Sequence, residues 1–192
     1  MQALLRLSDA IDAFLRLVAH TFGWLFFALV TVICFDVLTR KAGFQLMVLG
    51  VDLGSTRLQE LEWHLHGMLF LTWLGYAYVR NAHVRIDVLT ASMSARRQAW
   101  LELIGCAVFA LPYVLTALPY AHEFFWTSFQ QGEGSPAPNG LGMRWVIKLF
   151  LYFGFWSVLL SVISVAARRI VFLMGPPDLA DRAMPSTPLA AE

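Results

Sequence analysis

The amino-acid sequence predicts an all-α integral membrane protein with four transmembrane helices and additional amphipathic helices at the membrane interface. Of its 192 residues, 58% are hydrophobic and only 14% are charged, whereas soluble domains average about 25% charged residues. Four apolar segments also come close to the roughly 20 residues with which a helix crosses a hydrocarbon core of about 30 Å. The predicted spans lie at about 21–38, 61–79, 99–118 and 145–167.

Residues 1–20 have the pattern of an amphipathic helix. Leu4, Leu7, Ile11 and Leu15 recur at helical spacing, and the charged residues fall at other positions. Such a helix can lie in the membrane interface with its apolar face toward the lipid. It can equally form the cytosolic beginning of the first span, and the sequence is compatible with both arrangements.

The membrane domain is predicted over residues 21–169, and the segments around it have different compositions. Residues 42–59 are too apolar for a free loop, so we expect a short interfacial segment that rests on the membrane or on another subunit. Residues 170–192 are predicted to be a flexible cytoplasmic tail, because Pro, Ala and Asp are frequent after Gly175.

Two prolines and two cysteines lie in the apolar segments. Pro112 predicts a kink in the third span and Pro119 its exit, because proline lacks a backbone donor and clashes with the preceding turn. Cys34 and Cys106 both lie in apolar segments. We therefore expect two buried small hydrophobes rather than a disulfide or a metal site.

Acidic side chains near the ends of the spans are followed four residues later by a basic one. The pairs are Asp36 with Arg40, Glu60 with His64, and Glu62 with His66. Residues at this spacing are neighbours on a helix, so each pair can offset the cost of placing a carboxylate in the interface.

The second predicted span has a polar and aromatic stripe. Its members are Glu62, His66, Trp73, Tyr76 and Arg80. Lipid offers such side chains no hydrogen-bond partner, so the stripe is expected to face protein.

A charged corner with His83, Arg85 and Asp87 follows the second span directly. It is compatible with a solvated loop beside the membrane or with a fixed corner in which Arg85 and Asp87 pair with each other or with a partner.

Lysine and arginine residues predict that both termini are cytoplasmic. On that arrangement the inner segments contain Arg6, Arg16, Arg80, Arg85, Arg96, Arg97, Arg168 and Arg169, and the outer ones contain Arg40, Lys41, Arg57, Arg144 and Lys148. An excess of such residues marks the cytoplasmic side. A net charge of +1 gives no concentrated basic face of the kind that nucleic-acid binding requires.

Two stretches resemble a known family. Leu58-Gln59-Glu60-Leu61-Glu62-Trp63-His64 and Asn81-Ala82-His83-Val84-Arg85-Ile86-Asp87-Val88-Leu89 are similar to the DctQ-type small membrane subunit of TRAP (tripartite ATP-independent periplasmic) transporters. Residues 128–148 add a Glu-Gly-Ser sequence and a glycine-rich turn. They depart from the family's more usual Gly-Gly-Leu-Pro pattern at 137–142.

The resemblance implies a non-enzymatic subunit of the bacterial inner membrane without cofactor, metal or catalytic residues. It would support a larger, elevator-type membrane subunit in a heterodimer and would contact membrane lipids. The large subunit would bind sodium and an organic acid (a carboxylate), which a periplasmic substrate-binding protein would deliver.

Two groups of residues are predicted to serve these contacts. The interface with the large subunit, or a structural corner, would consist of Glu60, Glu62, His66, Trp73, Tyr76, Arg80, His83, Arg85 and Asp87. The surface that docks the binding protein would include Asp52, Arg57, Glu133 and Arg144.

The alternative function is a haem-binding, cytochrome b-like subunit of a redox enzyme. Its axial ligands would come from histidines at similar depth on facing helices. His64 or His66 could be combined with His122 toward the outer side, whereas His20 and His83 lie toward the inner side.

Overall fold

A computed structural model of the chain describes residues 1–42, 47–48, 51–52, 55–83, 90 and 92–183. The helices are α1 (Gln2–Gly23), α2 (Leu25–Ala42), α3 (Ser55–Val79), α4 (Ala95–Gly105), α5 (Leu111–Gln130), α6 (Trp145–Met174) and α7 (Pro177–Arg182). Two strands of two residues each, β1 (Met47–Val48) and β2 (Val51–Asp52), pair antiparallel between α2 and α3. Helices contain most of the described residues and the two strands only four of them, so the predicted all-α membrane fold is confirmed.

Three helical stretches of the described residues are long and apolar enough to cross a membrane. They are Gln2–Lys41, Ala95–Gln130 and Trp145–Met174. The 25 residues of α3 would reach about 37 Å at 1.5 Å per residue, but carboxylates and histidines make its first half less apolar. The predicted count of four spans is thus not confirmed by composition.

The first stretch consists of α1 and α2, which follow each other with only Trp24 between them. Leu5, Leu15 and Ala19 of α1 are almost completely buried, and α1 packs against α3 and α6. Residues 1–20 therefore continue directly into the first predicted span and use their apolar side for contacts within the chain.

Helix α6 lies at the centre of the bundle, in contact with α1, α3, α4 and α5. Gly67 lies against Ile147 and Gly75 against Ser157, so α3 and α6 run in the same direction. Buried Ser157, Ser161 and Ser164 follow each other along one side of α6. Small residues of this kind let helix backbones approach closely where lipid supplies no hydrophobic driving force.

Helices α4 and α5 are joined by a π-helical turn, Cys106–Ala110, and form one continuous helical stretch. The turn lies immediately before Pro112, whose ring would otherwise clash with the carbonyl group of Val108. The predicted exit at Pro119 is wrong, because α5 continues through that residue to Gln130. One missing backbone donor is tolerated within a helix that its neighbours support.

The end of the chain is more ordered than the predicted flexible tail of residues 170–192. Helix α6 extends to Met174, and α7 packs Leu179 and Ala183 against Leu5 and Val171. Proline at the first position of α7 already has the helical φ angle, and the buried contacts supply the remaining stabilisation. Residues 184–192 lie outside the described part of the chain.

The two cysteines have different environments. Cys106 is buried, as predicted, but Cys34 is exposed on the surface of α2. The position of Cys34 in an apolar segment indicated an apolar environment, and an exposed position on a membrane helix is consistent with that.

Candidate functional site

One end of the bundle is covered by residues 131–144, which we call the cap, and Glu60 at the start of α3 anchors it. The Ser135 hydroxyl group donates to Glu60 Oε1 at 2.5 Å, and the Leu141 backbone N–H donates to Oε2 at 2.6 Å. Arg144 Nη2 lies 3.4 Å from Oε1. Glu60 is only 8% exposed, so charged and neutral donors together compensate its loss of hydration.

Gly140 permits this arrangement because the cap folds back on itself at that residue. A Cβ atom there would lie 2.2 Å from Ser135 Oγ and 2.8 Å from Glu60 Oε2. By contrast, a Cβ atom at Gly142 would meet nothing within 4 Å. The contact between the cap and α3 therefore requires glycine at position 140 specifically, rather than a generally flexible loop.

Three of the four predicted docking residues make contacts between the cap and a neighbouring helix. Arg57 Nε donates to the Asn139 carbonyl oxygen at 3.1 Å, and Arg144 reaches Glu60 as described. Glu133 forms an ion pair with Lys148, whose hydrogen bond holds the pKa of the Glu133 carboxyl group below its usual value of 4.5. The fourth residue, Asp52, belongs to β2, and its side chain lies outside the described part.

The structure also corrects one predicted pair. The His64 Nδ1–H group donates to the Glu60 backbone carbonyl oxygen at 2.6 Å, while the Glu60 carboxylate binds the cap. The partners of that carboxylate come from about 80 residues later in the chain, where no local spacing reveals them.

The part of the predicted stripe near the C-terminal end of α3 (Trp73, Tyr76 and Arg80) faces α1. The Trp73 indole N–H donates to the Ala19 carbonyl oxygen at 2.8 Å, and the Tyr76 ring meets the His20 ring edge to face at 6.0 Å. Arg80 lines a cavity between α1, α3 and α6. This part of the stripe thus finds its protein partner within the chain.

The outer half of the stripe, which consists of Glu62 and His66 near the start of α3, is not covered by other described parts of the chain. His66 is exposed and Glu62 is half-buried, and the Glu62 Oε1 atom is buried without a hydrogen-bond partner among the described residues. Farther along this face Phe70 is 57% exposed, and Trp73 is 46% exposed although its indole N–H is bonded to α1. The exposed face therefore combines polar groups and aromatic rings on a helix otherwise packed inside the bundle.

The charged corner is described only in part. The His83 ring lies 6.0 Å from the Tyr78 ring and is otherwise exposed. Arg85 and Asp87, on which the choice between a solvated loop and a fixed corner depends, lie outside the described residues.

The opposite end of the bundle contains a cluster between α1 and α6 that was not predicted, which we call the termini-end cluster. Ser8 and Ser164 hydroxyl groups lie 2.7 Å apart, and Ser164 donates to Asp12 Oδ1 at 2.5 Å. Arg168 donates to Asp9 at 2.7 Å and to Asp12 at 2.8 Å. These contacts fix α1 against α6.

A second ion pair at this end, between Arg169 and Glu102, connects α6 to α4. One sequence signal could have indicated the packed side of α6, namely Ser157, Ser161 and Ser164 at helical spacing. Asp9 and Asp12 were instead among the charged residues on the polar side of the predicted amphipathic helix.

The histidines do not converge on one site. His64 bonds to its own helix, His20 lies beside Tyr76, and His122 stacks on Trp126 at 6.2 Å. Within the described part of the chain, no group of three or more His, Cys, Asp or Glu side chains could hold a metal ion. This geometry does not favour the haem alternative.

Comparison with known proteins gives one match. The family model described as "Tripartite ATP-independent periplasmic transporters, DctQ component" matches residues 29–172, which is three quarters of the chain. No curated protein and no solved structure matches significantly.

Proposed function

Because the chain belongs to the DctQ component family of tripartite ATP-independent periplasmic transporters, we propose that it is the fixed frame of a sodium-driven transporter for organic acids. The chain is a transporter component and not an enzyme. In this proposal the frame holds a larger, solute-carrying membrane subunit in place and helps a periplasmic substrate-binding protein to dock. The family implies association with both partners.

The observation that carries the proposal is the distribution of charge along the helices. The central runs 21–35, 67–79, 103–121 and 149–167 contain no Asp, Glu, Lys or Arg. A site that moves ions and carboxylates across a membrane needs polar or ionisable groups near the midplane. In this chain those groups are at the two ends, where they connect helices to one another.

Packing of the two termini supports a bundle of four crossings. The beginning of α1 and the end of α6 touch through Leu5 and Val171, so they belong on the same side of the membrane. A chain whose ends share a side crosses an even number of times, and α3 supplies the fourth crossing. It packs against α1, α2 and α6, and the arginine distribution favours a cytoplasmic location for both termini.

The open outer half of the stripe is the surface that we assign to the large subunit. Glu62 and His66 would lack hydrogen-bond partners in lipid, and polar side chains between membrane helices contribute roughly 1 kcal/mol each to association. Phe70 and Trp73 extend the same face with apolar area. The wider proposed interface still includes Glu60, Tyr76, Arg80 and the corner residues, but these contribute mainly by holding α3 in position.

The proposal is tested by co-purification and uptake. We expect the tagged chain to retain its large subunit, and only liposomes containing both subunits to show sodium-dependent uptake with the binding protein present. Glu62→Leu combined with His66→Leu should lower the recovered large subunit several-fold, whereas Tyr113→Leu on the exposed side of α5 should not. Uptake by the chain alone would contradict the frame, and unchanged recovery of the large subunit would contradict the assigned face.

For the binding protein, we propose that the cap presents a shaped surface rather than free charges. The contacts of Arg57, Arg144 and Glu133 support this view, because the first two hold the cap on α3 and the third holds it on α6. Arg57 is partly exposed and Asp52 precedes it, so both can also contribute rim charge, which acts mainly on the encounter rate.

Gly140→Ala should therefore weaken delivery of the solute. The added Cβ would force Ser135 away from Glu60 and loosen the cap, so half-maximal uptake should require several-fold more binding protein. Gly142→Ala is the matched control, because the new methyl group meets open space. Uptake curves that overlay for both variants and the unmodified complex would rule out a docking role for the cap.

A further inference from the structure

A cavity of about 370 Å³ lies between α1, α3 and α6 at the end of the bundle where the chain begins. Its polar lining includes four arginines and two aspartates. They are Arg16, Arg80, Arg168, Arg169, Asp9 and Asp12. Ala13, Val79 and Val165 add an apolar part to the same lining.

The charges of this cavity are not balanced. Arg168 is paired with both Asp9 and Asp12, so this group of three keeps one negative charge, and Arg169 is paired with Glu102, which lies outside the lining. Arg16 and Arg80 make no ion pair or hydrogen bond through their guanidinium groups within the described residues. Both side chains are exposed. Arg16 belongs to α1 and Arg80 directly follows α3, so two guanidinium groups without an ion-pair partner among the described residues line the cavity beside the Asp9–Asp12–Arg168 group.

We propose that this cavity binds the phosphate group of an anionic phospholipid. Guanidinium groups match phosphate oxygens in charge and geometry, and basic pockets between membrane helices on the cytoplasmic side are suited to anionic headgroups. Arg80 directly follows α3, at the level where a span meets the headgroup region. The apolar lining provides contact for the glycerol and the first acyl carbons.

Arg16 and Arg80 together outweigh the one negative charge that the Asp9–Asp12–Arg168 group keeps, so the lining has one net positive charge among the described residues, which a phosphate diester balances. Asp9 and Asp12 do not repel it strongly, because Arg168 lies between them at 2.7 and 2.8 Å. A bound headgroup would touch Arg16 of α1 and Arg80 after α3 together, and it would thereby add to the contacts that Trp73 and Tyr76 already make with α1. The site does not depend on which solute the transporter carries.

The test measures lipid binding to the purified full chain by native mass spectrometry and by thermal stabilisation. Phosphatidylglycerol is compared with zwitterionic phosphatidylcholine and with inorganic phosphate. Arg16→Gln combined with Arg80→Gln should lower the apparent affinity for phosphatidylglycerol by about tenfold or more, the scale of losing charge-assisted hydrogen bonds. Arg6→Gln combined with Arg97→Gln removes the same charge from exposed positions outside the cavity and should have little effect.

Any of three results would overturn the assignment of this cavity to an anionic phospholipid. Equal binding of phosphatidylcholine would exclude recognition of an anionic headgroup, and an equal loss in the control variant would indicate a non-specific electrostatic effect. Displacement of the lipid by inorganic phosphate at similar concentration would make free phosphate the ligand. The single variants Arg16→Gln and Arg80→Gln are measured too, so that the comparison stands if the double variant folds poorly.

Discussion

Gly75→Ala is expected to be the most damaging small substitution in the bundle. A Cβ atom at this position would lie 2.5 Å from the Ser157 carbonyl oxygen and 2.7 Å from its carbonyl carbon. Both atoms belong to the backbone of α6, so no side chain can rotate away and the two helices must separate. Overpacking of this kind costs about 3 kcal/mol, and the loss of contacts along α3 adds to it.

The measurement is the fraction of monodisperse protein that remains after heating, followed by size-exclusion chromatography in detergent. Gly105→Ala is the matched control, because Gly105 is also helical and a Cβ atom there would meet nothing within 4 Å. We expect a clear fall in apparent Tm for Gly75→Ala and none for Gly105→Ala. Equal Tm values for the two variants would show that α3 and α6 are not in backbone contact at this point.

Arg169→Ala is expected to produce the second large loss. The Arg169 side chain is only 11% exposed and that of its partner Glu102 18%. Removing the guanidinium group would leave a largely buried carboxylate between α4 and α6. Breaking such a pair on one side costs about 3–5 kcal/mol.

Replacing both partners separates a charge effect from a packing effect. Arg169→Leu with Glu102→Leu removes both charges of the pair, and apolar pairs often substitute for buried ion pairs at little cost. We expect most of the folded yield to return in this double variant, and Arg97→Ala, an exposed change, to behave like the unmodified chain. A double variant that is no better than Arg169→Ala alone would contradict the explanation by a lost charge partner.

Features that depend on neighbouring residues in the sequence could be predicted. The Asp36–Arg40 pair was expected from its spacing, and the two side chains are found 2.6 Å apart. Asp36 is completely buried while Arg40 is half exposed, which matches an arginine that extends from a buried carboxylate toward water. The family was likewise evident from two short stretches, and the match over residues 29–172 confirms it.

Features that depend on distant parts of the chain could not be predicted in the same way. Glu60 was assigned to His64 because only local partners are visible in a sequence, and the cap that binds it begins more than 70 residues later. The same limit explains the termini-end cluster, where Asp9 and Asp12 meet Arg168 across 150 or more residues. Pro119 was predicted to end the third span because proline locally disfavours a helix. The packing of neighbouring helices, which supports α5 through this residue, cannot be read from the local sequence.

The π-helical turn has a consequence for the numbering of the third helical stretch. Before the turn the buried residues Ala99 and Cys106 are seven apart, and after it Val114, Ala121 and Ser128 are also seven apart. Cys106 and Val114, however, are eight apart, so the turn inserts one residue into a heptad series. A relative with an uninterrupted α-helix here should lack one residue between these positions, and a single-residue gap in an alignment would mark a change of helical phase.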